Sequence, residues 1–315
     1  MKKWLLVILI LLLLLIASVY LFIPNTISFN QSISIKANKD GLYRNLLEEK
    51  NWGKWWPADT VSEKDSLHHF SPYNDYVYRI DNKGISSFGI SITGKNFKAV
   101  TSLNLFGARL DSVKLLWGAR MPTSYNPLKR FQIYLKSREL SNDIQAILGK
   151  MQTYFSKIEN VYGYEIRNAS VVDTALISTF AISKGYPNTE FIYSLIDQLK
   201  KYIILHSTKE TGFPMLNIST TDSINFLTKV AIPTEKELPS SGNISYKWML
   251  GGGNILVTDV RGGRASIANA FQQVENYVND YQHKSPAIPF QSLVTDRRQE
   301  ADTSKWVTRI YYPIL

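Results

Sequence analysis

Thr228-Lys229-Val230-Ala231-Ile232-Pro233 and Thr308-Arg309-Ile310-Tyr311-Tyr312-Pro313 follow one pattern: a threonine, a cation, a β-branched residue, two apolar or aromatic residues and a proline. The match continues upstream. Phe213-Pro214-Met215 corresponds to Ile288-Pro289-Phe290, and an amphipathic helix precedes each. One helix carries Ile192, Leu195, Ile196, Leu199 and Ile203 on its apolar stripe. The other carries Ile267, Ala270, Phe271, Val274, Tyr277, Val278 and Tyr281. The second copy holds five more residues between its proline and its threonine. A lone hexapeptide match arises by chance more easily than a helix and a proline repeated at matching places. Residues 163–315 are therefore expected to form a pseudo-symmetric α+β domain of two strand–helix–strand–strand halves, 163–238 and 239–315. The two sheets should lie side by side with a groove at their junction. Pro233 to Pro239, with Glu235 and Glu237, reads as the linker between the halves rather than as a pair of catalytic acids. Leu250-Gly251-Gly252-Gly253 lacks the lysine and hydroxyl of a phosphate loop and the spacing of a dinucleotide fingerprint, and reads as a turn.

The preceding stretch, residues 25–162, has a different rhythm. Ile27, Phe29, Ile33 and Ile35 alternate with polar residues, as in a half-buried strand. A short helix follows at Lys39 to Glu49, then Asn51-Trp52-Gly53-Lys54-Trp55-Trp56-Pro57. Strand-like stretches come next at Tyr76 to Ile80, Phe88 to Ile92, Val100 to Leu105 and Leu110 to Trp117, separated by turn signals such as Asp81-Asn82-Lys83-Gly84. Leu140, Ile144, Ile147, Leu148, Met151, Phe155 and Ile158 then mark one face of a long helix. A curved antiparallel sheet wrapped on that helix buries the stripe.

This order resembles the START-like SRPBCC (polyketide cyclase and lipid transport) superfamily. The likeness rests on the Trp-Gly-Lys-Trp-Trp-Pro segment after the first helix and on Asn126-Pro127-Leu128 before the last. It implies a helix-grip fold with an apolar cavity between sheet and helix, whose members bind hydrophobic molecules and in some cases transform them. Trp52, Trp55, Trp56 and Trp117 are then candidate cavity residues, with a plug at the end of the core as the other reading of the first three.

The duplicated region resembles the GyrI-like effector-binding domain, also found in multidrug-sensing transcription activators. The residues carrying this likeness are Val260-Arg261-Gly262-Gly263, Pro289-Phe290-Gln291-Ser292-Leu293-Val294-Thr295-Asp296 and Trp306-Val307-Thr308-Arg309-Ile310-Tyr311-Tyr312-Pro313. The resemblance implies a cleft for aromatic or cationic small molecules, lined by rings that attract cations through their π faces. Its candidate residues are Tyr246, Trp248, Phe290, Gln291, Trp306, Tyr311 and Tyr312. Two departures bear on the ligand. Gln291 and Arg309 stand where the family commonly has acids, which shifts the expectation toward a neutral or anionic ligand. It also weakens the hydrolase activity known for some members.

At the other end, Trp4 to Ile23 is an uncharged apolar run that spans about 30 Å as a helix, the thickness of a bilayer's hydrocarbon layer. It is longer than a signal-peptide core and lacks a small-x-small cleavage site, so residues 1–24 read as an uncleaved anchor. Lys2 and Lys3 precede it and no charge follows until Lys36, which places the N-terminus in the cytoplasm and the body outside it, as a single-pass cell-membrane protein. Trp4 and Tyr20 suit the interfaces.

The 315 residues carry 36 Lys and Arg against 26 Asp and Glu, a net charge of +10. These cations are scattered, so the partners expected are the bilayer and a hydrophobic or aromatic small molecule rather than nucleic acid. The absence of cysteine removes disulfides, thiolate metal sites and a cysteine nucleophile. His68 and His69 are adjacent and make a poor chelate on a strand. No Gly-x-Ser-x-Gly elbow is present, and no cofactor is expected. The resulting reading is a membrane-anchored small-molecule-binding protein. A hydrolase or cyclase using acids such as Asp59, Glu63 or Asp75 is one alternative, and a sensor or scaffold with a membrane-protein partner is another.

Overall fold

The computed structural model describes residues 2–57, 70–74, 76–95 and 97–315. The chain is α+β, with an N-terminal apolar helix and two antiparallel sheets, and it divides into two compact units, Met1–Val161 and Tyr162–Leu315.

The first unit opens with helix α1 (Lys2–Phe22), whose apolar side chains from Trp4 to Leu15 are exposed. Its C-terminal end is fastened to the unit's body. Arg130, itself buried, donates Nε to the carbonyl of Ile23 at 2.8 Å, and its guanidinium lies 5.0 Å from the Tyr20 ring centroid. A cation at the negative end of a helix is favourable both to the dipole and to carbonyls without a helical partner. Strand β1 (Thr26–Ile35) follows, then α2 (Lys39–Leu47), whose first amides are capped by the Asn38 side chain. A 3-10 turn at Glu49–Lys54 carries the tryptophan segment. Strands β2 (Phe70–Tyr73), β3 (Tyr76–Gly84), β4 (Ser87–Gly94), β5 (Phe97–Arg109) and β6 (Ser112–Pro122) complete an antiparallel sheet of order β1-β6-β5-β4-β3-β2.

Along β5, Phe97, Ala99, Thr101, Leu103 and Leu105 are buried and their neighbours are not, as period-two alternation requires. Helix α3 (Pro127–Phe155) packs on this sheet at β1 and β6, and α2 at β5. Asn126 caps α3 by accepting from the amides of Leu128 and Lys129, and Pro127 fits the first turn, where no amide is needed. Among the boundaries that differ from the sequence reading, two have a local cause. Leu110 sits in the turn before β6, because Leu110 and Asp111 close the hairpin. Ile158 opens a separate short helix, α4 (Ile158–Tyr162), because Ser156 ends α3 by donating its amide and its hydroxyl to the Gln152 carbonyl.

The second unit holds β7 (Arg167–Ser170), β8 (Ala175–Lys184), α5 (Thr189–Leu205), β9 (Met215–Thr220) and β10 (Asn225–Pro233). The same order then recurs as β11 (Ser245–Trp248), β12 (Asn254–Arg261), α6 (Arg264–Asp280), β13 (Phe290–Leu293) and β14 (Val307–Pro313). The strands form one antiparallel sheet of order β11-β8-β10-β9-β13-β14-β12-β7. Its two halves mirror each other about the β9–β13 ladder, where Leu216 faces Gln291. Those two residues are themselves equivalent, so the pseudo-twofold axis passes between them. The sequence led us to expect two sheets side by side; this short ladder fuses them into one. Each half also has an unforeseen lead strand that pairs across the repeat, β7 with β12 and β11 with β8. These strands were not visible in the pattern because Arg167–Ser170 is exposed throughout and Ser245–Trp248 is only half-buried.

Both helices pack on the same face of the sheet. Under α5, Ile192, Ile196, Leu199 and Ile203 meet Ile177, Val230 and Ile232. Under α6, Ile267 and Ala270 meet Val260 and Ile310. Gly262, at φ +120°, turns the chain from β12 into α6, and a Cβ there would come within 2.5 Å of the Ser266 hydroxyl. Neither α5 nor α6 covers the opposite face of the sheet, and that open face and the junction under the helices position the candidate sites.

Candidate functional site

Strand alternation sorts the aromatic and polar residues singled out in the sequence. Phe290 and Tyr311 are direct cross-strand neighbours on the open face, their rings stacked 5.0 Å apart at 18°. Gln291, one residue on, points to the helix face and is buried. Tyr312 likewise faces α6, where burial and the nearby Glu275 carboxylate push its hydroxyl's pKa up. Trp306 lies just before β14, its indole N–H donating to the Glu300 carbonyl at 2.8 Å. Tyr246 and Trp248 belong to the edge strand β11; Trp248 is exposed, and neither lines the clefts described below.

The first cleft lies on the open face of the first half and has a volume of about 460 Å³. Phe180 of β8, Met215 of β9 and Met249 give it an apolar floor, with Phe290 at the pseudo-symmetry axis. Lys229 and Lys247 stand in its lining, and among the described residues neither makes an ion pair. The methionines are flexible and polarizable, and they adapt to ligands of differing shape. The equivalent area of the second half carries different side chains. Tyr311 replaces Ala231 there, and Asp259 replaces Phe180 and binds Arg309 at 2.6 Å and Arg167 at 3.2 Å.

The second cleft lies on the helix face beside the pseudo-symmetry axis and has a volume of about 350 Å³. Ile218, Ile267 and Phe271 form its apolar part; Tyr186, Arg264 and Gln291 are its polar part. The Arg264 guanidinium lies 3.6 Å from the centroid of the Tyr186 ring. Behind Gln291 stands Arg297, whose Nη2 donates to Gln291 Oε1 and to Thr308 Oγ1, each at 3.1 Å. Its guanidinium covers the Trp306 ring at 4.8 Å, and its backbone N–H donates to the Tyr193 hydroxyl of α5 at 2.8 Å. Burial pushes the Arg297 pKa down from its ordinary value. Arg264 and Arg297 were not among the residues anticipated for the site. The available signal was the five-residue insertion in the second copy, since the loop that it lengthens carries Arg297, Arg298 and Trp306.

In the first unit, Trp52, Trp55, Trp56 and Trp117 are all buried. Trp52, Trp55 and Trp56 pack on one another at 5.0 to 5.7 Å, and Tyr78 bridges Trp56 to Trp117 at 5.2 and 6.3 Å. Phe155 of α3 closes the cluster against Trp55. Trp52 donates to the Leu46 carbonyl and Trp117 to the Thr101 hydroxyl. Among the described residues the Trp55 indole N–H and the Tyr78 hydroxyl are buried without a partner, and burial together with the Asp143 charge pushes the Tyr78 pKa far up. Asp59, Glu63, His68, His69 and Asp75 lie outside the described residues. Among the described residues no group of three or more His, Asp or Glu is placed to hold a metal ion.

No family model matches the chain, and no curated protein matches it in sequence. Solved structures resemble it at low identity. A chain of the EcmrR–DNA complex is 16% identical, with 59% of this chain and 69% of that chain covered and a TM-score of 0.43. The EcmrR C-terminal domain is 15% identical over 48% of this chain and 98% of that chain, at TM-score 0.41. The structure of SAV2435 bound to tetraphenylphosphonium is 13% identical over 48% and 94%, at TM-score 0.32.

Proposed function

We propose that this chain is a membrane-anchored protein that binds hydrophobic or aromatic small molecules in its C-terminal unit. The observation that carries the reading is the open-face cleft: about 460 Å³, floored by Phe180, Met215 and Met249 and bounded by Phe290. That volume suits a small organic ligand, and a largely apolar lining with a few polar groups is what such ligands require. Neither cleft is lined by Asp, Glu or His. A proton-transfer catalyst needs such a group within reach of its substrate, so we read these clefts as binding sites.

The duplicated strand–helix–strand–strand order supports a GyrI-like domain over 163–315. The sheet gripping α3 supports a START-like domain over 25–162. For the anchor, the support is α1 itself, whose apolar side chains from Leu5 to Leu15 are exposed and are best covered by lipid. Lys2 and Lys3 ahead of it favour a cytoplasmic N-terminus and an extracytoplasmic body.

The second half supplies the test. Tyr311 occupies the position equivalent to Ala231, so Ala231→Tyr fills the first half's cleft with a ring the fold already accommodates in its other copy. The full chain in lipid nanodiscs is screened by thermal shift against uncharged aromatic compounds and fatty acids. A ligand at a hundred times its Kd stabilises by about 2.7 kcal/mol. Wild type is expected to shift and Ala231→Tyr to shift no longer. Failure of every compound to stabilise the wild type rejects the reading.

A further inference from the structure

We propose that the first turns of α3 form a second membrane contact, which docks the first unit on an anionic phospholipid surface beside the anchor. The proposal rests on the reading of α1 as a membrane helix, and its surface belongs to neither cleft of the C-terminal unit.

Helix α3 carries two apolar stripes. The long one, from Leu140 to Phe155, is buried. The short one is Leu128, Phe131 and Leu135, whose spacing of three and four residues sets them on one face. That face lies opposite the buried Arg130, Ser137 and Ile144. Leu128 is 74% exposed, Phe131 47% and Leu135 45%, and Tyr125, just before the helix, is 91% exposed. Among the described residues of this unit beyond α1, eight large apolar side chains are exposed, and these are four of them. Single exposed apolar residues are ordinary, but such a cluster marks a contact surface. The next residues on the same face are Glu139 and Asn142, both exposed, so the apolar stripe is confined to the start of the helix.

That start is the part of the unit tied to α1. The Tyr20 hydroxyl donates to the Tyr125 carbonyl. Arg130, which lies between Leu128 and Phe131 in the chain, holds the Ile23 carbonyl at 2.8 Å and covers the Tyr20 ring. The contacts that fasten the end of α1 therefore also set the stripe beside it. Leu128 to Leu135 spans about 10 Å of helix, too short to cross a bilayer and suited to its interface, where an amphipathic helix buries its apolar face about 5–10 Å deep.

Charge selects the lipid. A cleft of about 790 Å³ beside the stripe is lined by Lys95, Lys129 and Lys136, with Glu139 its one acid. Lys136 donates to the Lys95 carbonyl at 2.9 Å, which keeps the two lysines together. Among the described residues none of the three makes an ion pair. Arg138 stands exposed on the other flank of the stripe. Cations flanking an apolar wedge match phosphate headgroups above acyl chains.

The chain contains no cysteine, so one introduced cysteine is a unique attachment point for an environment-sensitive fluorophore. Leu11→Cys, Leu128→Cys, Leu135→Cys and Ala146→Cys are each labelled in the full chain. Ala146 lies on the same face as Leu128, about five turns further on. The variants are placed in nanodiscs of phosphatidylcholine, with or without phosphatidylglycerol, that contain lipids with a quencher on the acyl chain. The Leu11 label is expected to be quenched in both lipids and the Ala146 label in neither. The Leu128 and Leu135 labels are expected to be quenched with phosphatidylglycerol and much less without it. Lys129→Gln added to Leu135→Cys lowers the docked-to-undocked ratio about fivefold. Quenching at Leu11 without quenching at Leu128 and Leu135 overturns the docking and leaves the anchor intact. Blue-shifted but unquenched labels at these two positions also overturn it, because protein then covers the stripe. Equal quenching with and without phosphatidylglycerol overturns it as well, since the lysines then select nothing. An unquenched Leu11 label removes the anchor reading, and the docking with it.

Discussion

Phe180 and Asp259 occupy the same position in the two halves of the C-terminal unit, each directly opposite a cation on the neighbouring strand, Lys229 in one half and Arg309 in the other. In the first half the ring leaves that lysine unpaired and the face apolar. In the second half the carboxylate gathers Arg309 and Arg167, and Tyr311 stacks on Phe290. The helix face differs in the opposite sense. Among the described residues the Thr228 hydroxyl, under α5, meets no partner, whereas its equivalent Thr308 accepts a hydrogen bond from Arg297. Duplication has thus kept one backbone and divided the roles of its surfaces. The first half is apolar and accessible on its open face. The second half carries an ion-paired cluster and a stacked ring there, and its unusual charge lies beneath the helices. Position in the repeat fixes where a side chain points, and the residue placed there decides what that surface can bind.

The division of labour extends to stability, and the largest expected effect tests it. Leu199 of α5 and Val274 of α6 are equivalent and both are fully buried. Leu199→Ala is expected to cost about 2–5 kcal/mol, the range for truncating a core leucine. Val274→Ala removes fewer carbons and sits beside Ala270, in a sparser layer where the first half has Leu195. Its cost should be smaller. Urea unfolding of the full chain, followed by tryptophan fluorescence and circular dichroism, reads both. An equal or larger loss for Val274→Ala shows that the second helix carries as much of the core as the first, and removes this part of the comparison.

One substitution made in both halves gives a change of sign. Thr228→Val replaces a buried hydroxyl that has no partner with a methyl group of similar shape, so it is expected to be neutral or to stabilise by up to about 1 kcal/mol. Thr308→Val takes an acceptor away from a part-buried guanidinium and is expected to destabilise by about 1–3 kcal/mol. The melting temperatures of the two variants should fall on opposite sides of the wild type, or Thr228→Val should at least match it. If Thr308→Val is as harmless as Thr228→Val, Arg297 is not held by Thr308, and the asymmetry of the helix face loses one of its supports.

Much of this architecture was legible in the chain because it follows from periodicity. The repeat at Thr228 and Thr308, the stripes of both helices and the alternation along β5 specify faces directly, and they gave the α+β layering in advance. The lead strands β7 and β11 carry too little apolar alternation to register. Tyr246 and Trp248 belong to a short edge strand that turns them away from both clefts. Phe290 and Gln291 are adjacent, and adjacency on a strand means opposite faces. Arg297 was hidden for another reason. It comes from a loop, where no period constrains direction, and its partners Gln291, Thr308 and Tyr193 lie on three different elements, β13, β14 and α5. Only the length difference between the two copies marked that loop as unusual.

The smallest expected effect concerns the pair from which the comparison began. Asp259 draws the Arg309 pKa well above its ordinary value through their hydrogen bond, but both side chains are about two-fifths exposed. Water and salt screen such a pair, so Asp259→Asn is expected to cost about 0.5–1 kcal/mol at low ionic strength and less at high salt. The reciprocal change, Phe180→Asp, sets an acid opposite Lys229 in the register that Asp259 has with Arg309. Cross-strand ion pairs of this kind contribute about 0.2–1 kcal/mol, so the variant should acquire a salt dependence of stability that wild type lacks at that position. The absolute stability of Phe180→Asp is a poor guide, because removing a half-exposed ring changes it as well. The difference between unfolding free energies at low and high salt isolates the charge. If Asp259→Asn does not lose salt dependence and Phe180→Asp does not gain it, the two cross-strand positions are not electrostatically equivalent, and the divergence of the open faces lies in shape rather than in charge.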